Sequence, residues 1–246
     1  RAREEARRCE RLFAEFYTSR LMGSSVRDLE STLHQEIRVL TREEVEEGRL
    51  VLEAAKEGNV GFLVAGDPMA ATTHVDLRLR AHRLGIGTRV VPGVSALTAA
   101  AGALGLQQYK FGRTTTLPIR EAGFAPTSPY DVVEANRTAG LHTLALLDLK
   151  EDRLLTPREG LAYLLEMEDR FARGVLGPDT VACIAGALGS ATPTLRADRL
   201  GRLRGADPGP PLHVLVIPGP LHFLEVEALV AFAGLPEALA EEINPP

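Results

Sequence analysis

At 246 residues, with 45% hydrophobic side chains, the chain has material for one large or two small domains with true cores. Its 28 Lys and Arg against 33 Asp and Glu leave a formal net charge of −5, which argues against a nucleic-acid binder. The two cysteines, Cys9 and Cys183, stand in no metal-ligand or Cys-x-x-Cys spacing, and no apolar run approaches the roughly 18 residues of a membrane span. The expectation is a cytoplasmic protein with reduced thiols, no metal and no membrane segment.

Arg1 to Arg11 is helical in pattern and reads as the middle of a charged helix with no strand before it, so a leading segment is expected to be missing. Leu12 to Tyr17 is strand-like, Val26 to His34 an amphipathic helix, and Ile37 to Leu40 a brief strand. Thr41-Arg42-Glu43-Glu44 has the capping-box form and opens a helix over Val45 to Lys56, closed by Gly58-Asn59. Val60 to Ala65 then makes a strand buried on both faces, stopped abruptly by Gly66-Asp67-Pro68. A helix follows from about Thr73 to Leu84, with Gly85 as its stop, and Thr88 to Val91 forms the next strand. Val94 to Ala103 is helical, small-residued and nearly uncharged, so it must be almost fully buried. This alternation predicts a mostly parallel sheet with helices on its faces.

The texture changes after Lys110-Phe111-Gly112, which puts a domain boundary near residue 112 and divides the chain into 1–112 and 113–246. Thr114 to Leu117 is β-branched, Phe124 to Tyr130 rich in Pro, Ser and Thr, Asp131 to Thr138 a short helix and His142 to Asp148 a buried strand. Thr156-Pro157-Arg158-Glu159 is a second capping box, starting a helix that runs through Arg173. Thr180 to Ala185, Thr194 to Arg196 and Leu212 to Ile217 are strands joined by longer, hairpin-like connections, and Glu225 to Phe232 is a closing helix.

Neither Gly-x-Gly-x-x-Gly nor a Walker loop occurs, so a dinucleotide or Walker-type phosphate grip is unsupported. Two strand ends remain: Gly66-Asp67-Pro68, and Val91-Pro92-Gly93-Val94-Ser95-Ala96. Ligands of open α/β sheets bind past the carboxyl ends of strands, and small residues beyond both turns would leave an open ledge for an adenosine-sized group. A plain strand–turn–helix connection, with Ser95 serving only as a helix cap, fits the same residues. His74, His142, His213 and His222 show no metal-ligand spacing, and no catalytic triad is legible along the chain.

Several longer runs are more specific. Gly66-Asp67-Pro68-Met69-Ala70-Ala71-Thr72-Thr73-His74, Val91 to Ala96, Leu106-Gln107-Gln108-Tyr109-Lys110-Phe111-Gly112, Ser128-Pro129-Tyr130-Asp131, Gly140 to Leu144 with Leu147-Asp148, and Pro211-Leu212-His213 together resemble the diphthine synthases. That family lies within the tetrapyrrole-methylase-like, class III S-adenosylmethionine-dependent methyltransferases, and the resemblance covers nearly the whole chain. It implies two α/β domains of the tetrapyrrole methylase type, usually in a homodimer, with the cofactor in the cleft between the domains. The implied substrate is translation elongation factor 2, whose modified histidine is trimethylated on its amino group. Carried over position by position, the implied S-adenosylmethionine contacts are Asp67, Ala70, Ser95, Ala96, Leu147, Leu188 and His213.

Two departures go with the resemblance. The family begins with a strand and a Gly-Leu-Gly-Leu turn absent here, and it tends to have Arg-Ala-Gly-Ser where this chain has Ala187-Leu188-Gly189-Ser190. Methyl transfer from a sulfonium to an uncharged amine is an in-line displacement that rests on alignment and exclusion of water, which suits a sequence without a triad. No residue stands out as a general base. The alternatives are a precorrin-type tetrapyrrole methyltransferase and a non-catalytic partner of elongation factor 2.

Overall fold

The computed structural model describes residues 1–20, 23–120, 126–150 and 153–244. Contacts divide the chain into two compact units, Arg1–Ser95 and Ala96–Pro246. The boundary thus falls before the helix Ala96–Leu104, earlier than the change of texture near residue 112. The physical reason is packing: Ala100 and Leu104 of that helix share a core with Val214 and Val216 of the second unit. Composition marked a loop, while buried area decides to which unit a helix belongs.

The first unit is a three-stranded parallel sheet built from β1 (Arg11–Glu15), β2 (Ile37–Val39) and β3 (Val60–Val64), in the order β2-β1-β3. Alternation along β1 sends Leu12 and Ala14 to one face, against α1 (Ala2–Ala6) and α2 (Val26–Leu33). Phe13 goes to the other, against α3 (Arg42–Glu47), α4 (Arg49–Glu57) and α5 (Val75–Arg83).

The Thr41 capping box forms as expected: the Thr41 hydroxyl accepts from the Glu44 N–H at 3.2 Å, and the Glu44 carboxylate from the Thr41 N–H at 2.9 Å. The single helix expected after it is two, because Gly48 adopts a left-handed φ of 64° between α3 and α4. Arg80 of α5 donates to the carbonyls of Glu46 and Glu47 at that break. A Cβ on Gly48 would lie 2.8 Å from Arg80 Nη2.

The expected strand Thr88–Val91 forms no ladder. Consequently β3 is the edge of the sheet and its five residues are only half-buried, not covered on both faces as its apolar run suggests.

The second unit holds a five-stranded mixed sheet: β4 (Thr115–Leu117), β5 (Thr143–Leu147), β8 (Val181–Gly186), β9 (Thr194–Arg199) and β10 (His213–Ile217), in the order β4-β5-β10-β8-β9. Only β4 and β5 pair in parallel. A short ribbon, β6 (Leu149–Lys150) with β7 (Arg153–Leu154), follows β5.

β10 is buried on both sides because the sheet lies between two helical layers. Leu215 and Ile217 meet α7 (Ser128–Thr138), α8 (Pro157–Phe171) and α9 (Leu200–Leu203). Val214 and Val216 meet α6 (Ala96–Leu104), α10 (Phe223–Ala233) and α11 (Glu237–Ile243). The Thr156 capping box opens α8, with Pro157 at its first position. The Phe124–Tyr130 stretch begins outside the described residues.

Candidate functional site

In the first unit the chain turns sharply at the carboxyl end of β3. Gly66 takes a φ of 88°, closed to most side chains. The Asp67 carboxylate then binds backbone at both ends: Met69 N–H donates to Oδ1 at 2.8 Å, and Gly93 N–H to Oδ2 at 3.0 Å. Asp67 therefore clasps the second turn, Pro92-Gly93, to its own. The two backbones approach so closely that a Cβ on Gly93 would fall 2.0 Å from the Gly66 carbonyl oxygen. The Pro68 carbonyl accepts from the Thr72 hydroxyl at 2.8 Å and lies 3.0 Å from His74 Nδ1.

Around this double turn stand small side chains. Ala70 closes the first turn, its N–H donating to the Asp67 carbonyl at 3.3 Å. Ser95 ends the unit immediately after Val94, which is 74% exposed. Ala96 opens the second unit as the first residue of α6.

In the second unit three separate strand ends converge. Val214 of β10 faces Leu146 of β5, so His213 and Leu147 are next in register, and on its other side His213 faces Gly186 of β8. Leu188 follows Gly186 by two residues and packs partly buried against the core on the α6 side. Leu147, Leu188 and His213, far apart in sequence, thus come to one end of the same sheet.

The His213 ring is fixed. Its Nε2 donates to the carbonyls of Pro208 at 3.1 Å and Gly209 at 3.2 Å, and a Cβ on Gly186 would sit 2.6 Å from its Cδ2. Burial pushes its pKa below the ordinary histidine value, against the opposing pull of the two carbonyls, so the ring is neutral with its proton on Nε2.

The seven expected positions therefore form two ledges, each at a strand end of its own unit. Asp67, Ala70 and Ser95 line one; Leu147 and His213 are neighbours on the other, Leu188 reaches the same end of the sheet but packs against its opposite face, and Ala96 stands at the chain junction. Sequence reasoning did not foresee that Asp67 is committed to two backbone N–H groups. It named Gly93 within the second turn but did not foresee that its backbone packs against that of Gly66.

A second polar cluster was missed altogether. Glu225, wholly buried in α10, accepts from the Lys110 ammonium, from the backbone N–H of Gln107 and His222 at 2.9 Å each, and from His142 Nε2 at 3.0 Å. His142 Nδ1 in turn accepts from the Gly219 N–H at 2.9 Å, which fixes the neutral tautomer. Burial alone would push the Glu225 carboxyl up, but the Lys110 ammonium and the backbone donors outweigh it and hold the pKa down to about 2. Burial likewise lowers the pKa of His142. The Leu106–Gly112 run, so specific in the sequence, serves in part to supply Gln107 and Lys110 to this clamp.

Residues 1–202 match the tetrapyrrole (corrin/porphyrin) methylases. Over 237 residues the chain is 44% identical to the diphthine synthase of Methanothermobacter thermautotrophicus, covering 96% of this chain and 90% of that protein. It is 46% identical over 247 residues to the diphthine synthase of Halorubrum lacusprofundi, covering 98% and 93%. A crystal structure of diphthine synthase superposes with a TM-score of 0.87 at 34% identity, over 97% of this chain and 91% of that one. With strand ends, small-residue ledges and full-length similarity in agreement, the chain belongs to the tetrapyrrole methylase family and, within it, to the diphthine synthases.

Proposed function

We propose that this methyltransferase takes its methyl group from S-adenosylmethionine and trimethylates the amino group of the modified histidine on translation elongation factor 2, giving diphthine. It does so as a cytoplasmic homodimer. The observation that supports the reading is the double turn at Gly66 and Gly93, whose surroundings suit the cofactor. Gly66 and Gly93 bring backbone to backbone, and Ala70, Ser95 and Ala96 add nothing larger than a hydroxyl, which suits a flat nucleoside met by backbone groups.

Asp67 and Ala70 would hold the cofactor on the first ledge, Ser95 and Ala96 beside the second turn, and Leu147, Leu188 and His213 on the ledge of the second unit. When bound, S-adenosylmethionine would supply an electrophilic methyl group on a sulfonium. The chain's own part is alignment. The Asp67 clasp fixes two turns against each other before any ligand arrives, and the neutral His213 offers an acceptor nitrogen, Nδ1, without adding positive charge. Leu147 and Leu188 contribute apolar surface that excludes water. The amine nucleophile, once uncharged, needs no general base during the displacement.

Incubating labelled S-adenosylmethionine, the protein and elongation factor 2 carrying the unmethylated intermediate should transfer label to the factor, with up to three methyl groups visible by mass spectrometry. Absence of label there, together with methylation of a porphyrinoid, would replace the reading by the tetrapyrrole one.

A further inference from the structure

One buried histidine has no part in the ledges as described. His74, immediately before α5, is 4% exposed, and its ring stands edge-on to Phe62 with centroids 5.2 Å apart and planes at 81°. Nδ1 lies 3.0 Å from the Pro68 carbonyl, which can only accept, so Nδ1 carries the proton. Nε2 is buried without a hydrogen-bond partner and faces Glu15 Oε1 at 3.8 Å, beyond hydrogen-bonding reach.

Glu15 is itself unusual: a wholly buried carboxylate at the end of β1. Its oxygens are already supplied by the backbone N–H groups of Tyr17 and Thr18, each at 3.0 Å, and by the Thr18 hydroxyl. It does not need His74 to be satisfied. What it sets opposite Nε2 is a carboxylate too far away to bond, so the ring's one hydrogen bond is made through Nδ1–H.

From Nδ1 the contacts run without a gap to the ledge. His74 holds the Pro68 carbonyl; Pro68 follows Asp67; Asp67 grips Met69 N–H and Gly93 N–H. We propose that His74, its ring set against Phe62, is a positioning residue that holds the Asp67 turn in its cofactor-receiving form through the Pro68 carbonyl, an inference that rests on the ledge being the cofactor site.

Three replacements separate this role from simple core filling. In His74→Asn the amide nitrogen occupies the place of Nδ1, in His74→Gln it reaches that of Nε2, and His74→Phe keeps the ring against Phe62 without either nitrogen. Titration calorimetry with S-adenosylmethionine and hydrogen exchange without ligand are read on all three. His74→Asn should bind within about threefold of the parent. His74→Gln and His74→Phe should bind tenfold or more weakly, and their Met69 and Gly93 amides should exchange at least tenfold faster while those of β1 keep their protection.

Parental affinity and parental exchange at Met69 and Gly93 in His74→Phe would overturn the inference. So would an equal loss in all three variants accompanied by faster exchange throughout β1, because that is the behaviour of a core side chain. If the parent binds no S-adenosylmethionine, the proposed function fails instead, and the exchange of Met69 and Gly93 still decides the role of His74.

Discussion

Replacing Glu225 by Gln removes one charge from a site built around it. The carboxylate receives four donors: Lys110 Nζ, His142 Nε2 and the N–H groups of Gln107 and His222. A glutamine offers a single carbonyl oxygen and turns an NH2 toward the rest, leaving donors unmet in a buried place. Breaking such a cluster from one side costs about 3–5 kcal/mol.

The pH dependence follows from the depressed pKa. A folded value of about 2 against roughly 4.3 for an unfolded glutamate is worth about 3 kcal/mol at roughly 1.36 kcal/mol per unit. Because the folded value is the lower one, this stability is fully present well above the unfolded pKa and is lost as pH falls toward the folded pKa. More than half of it, roughly 1.7 kcal/mol, is gone at pH 3. The gap between the parent and E225Q should therefore narrow by about that amount between pH 7 and pH 3. Urea series followed by hydrogen exchange at Val214 to Val216 read the second unit alone, which matters because two compact units need not unfold together. A gap that stays constant down to pH 3 would refute the charge-based account and leave only shape.

Other substitutions probe the ledges. Asp67→Asn can keep one of its two backbone bonds but places an amide NH2 against the other N–H, so cofactor affinity should fall about tenfold, roughly 1.4 kcal/mol; an unchanged dissociation constant in calorimetry would count against the clasp. Gly93→Ala forces a Cβ to 2.0 Å from a backbone oxygen that cannot swing away, so the turns must part, with a stability loss of about 2 kcal/mol or more and no measurable cofactor binding. Gly186→Ala meets the His213 ring at 2.6 Å and should displace it from the Pro208 and Gly209 carbonyls; calorimetry should show weaker cofactor binding, and parental affinity would remove His213 from the site.

Local signals were the legible ones. The capping boxes at Thr41 and Thr156 are read from four consecutive residues, and both form. The strand ends at Gly66 and His213 were visible because glycine and proline punctuate apolar runs. Gly48 misled, since a lone glycine within helical periodicity costs only about 1 kcal/mol, and nothing nearby in sequence announces Arg80 waiting at the break. Glu225 was invisible for a related reason: Gln107, Lys110 and His142 come from more than 80 residues away in the chain. Glu15 did leave a trace, a carboxylate inside the apolar run Leu12 to Phe16. A strand will bury such a residue only where backbone donors await it, as those of Tyr17 and Thr18 do.

The strand order of the second unit also dictates when that unit can exist during synthesis. β10 lies in the middle of the sheet, between β5 and β8, yet it is the last of the five to be made. Until residues 213–217 have emerged from the ribosome, β4 with β5 and β8 with β9 are two unconnected fragments. Leu147 and Leu188 then have no shared partner to bring them together. The first unit, whose ladder is complete by residue 64, can close long before. A nascent chain stalled just short of His213 should carry a protease-resistant first unit and an open second one.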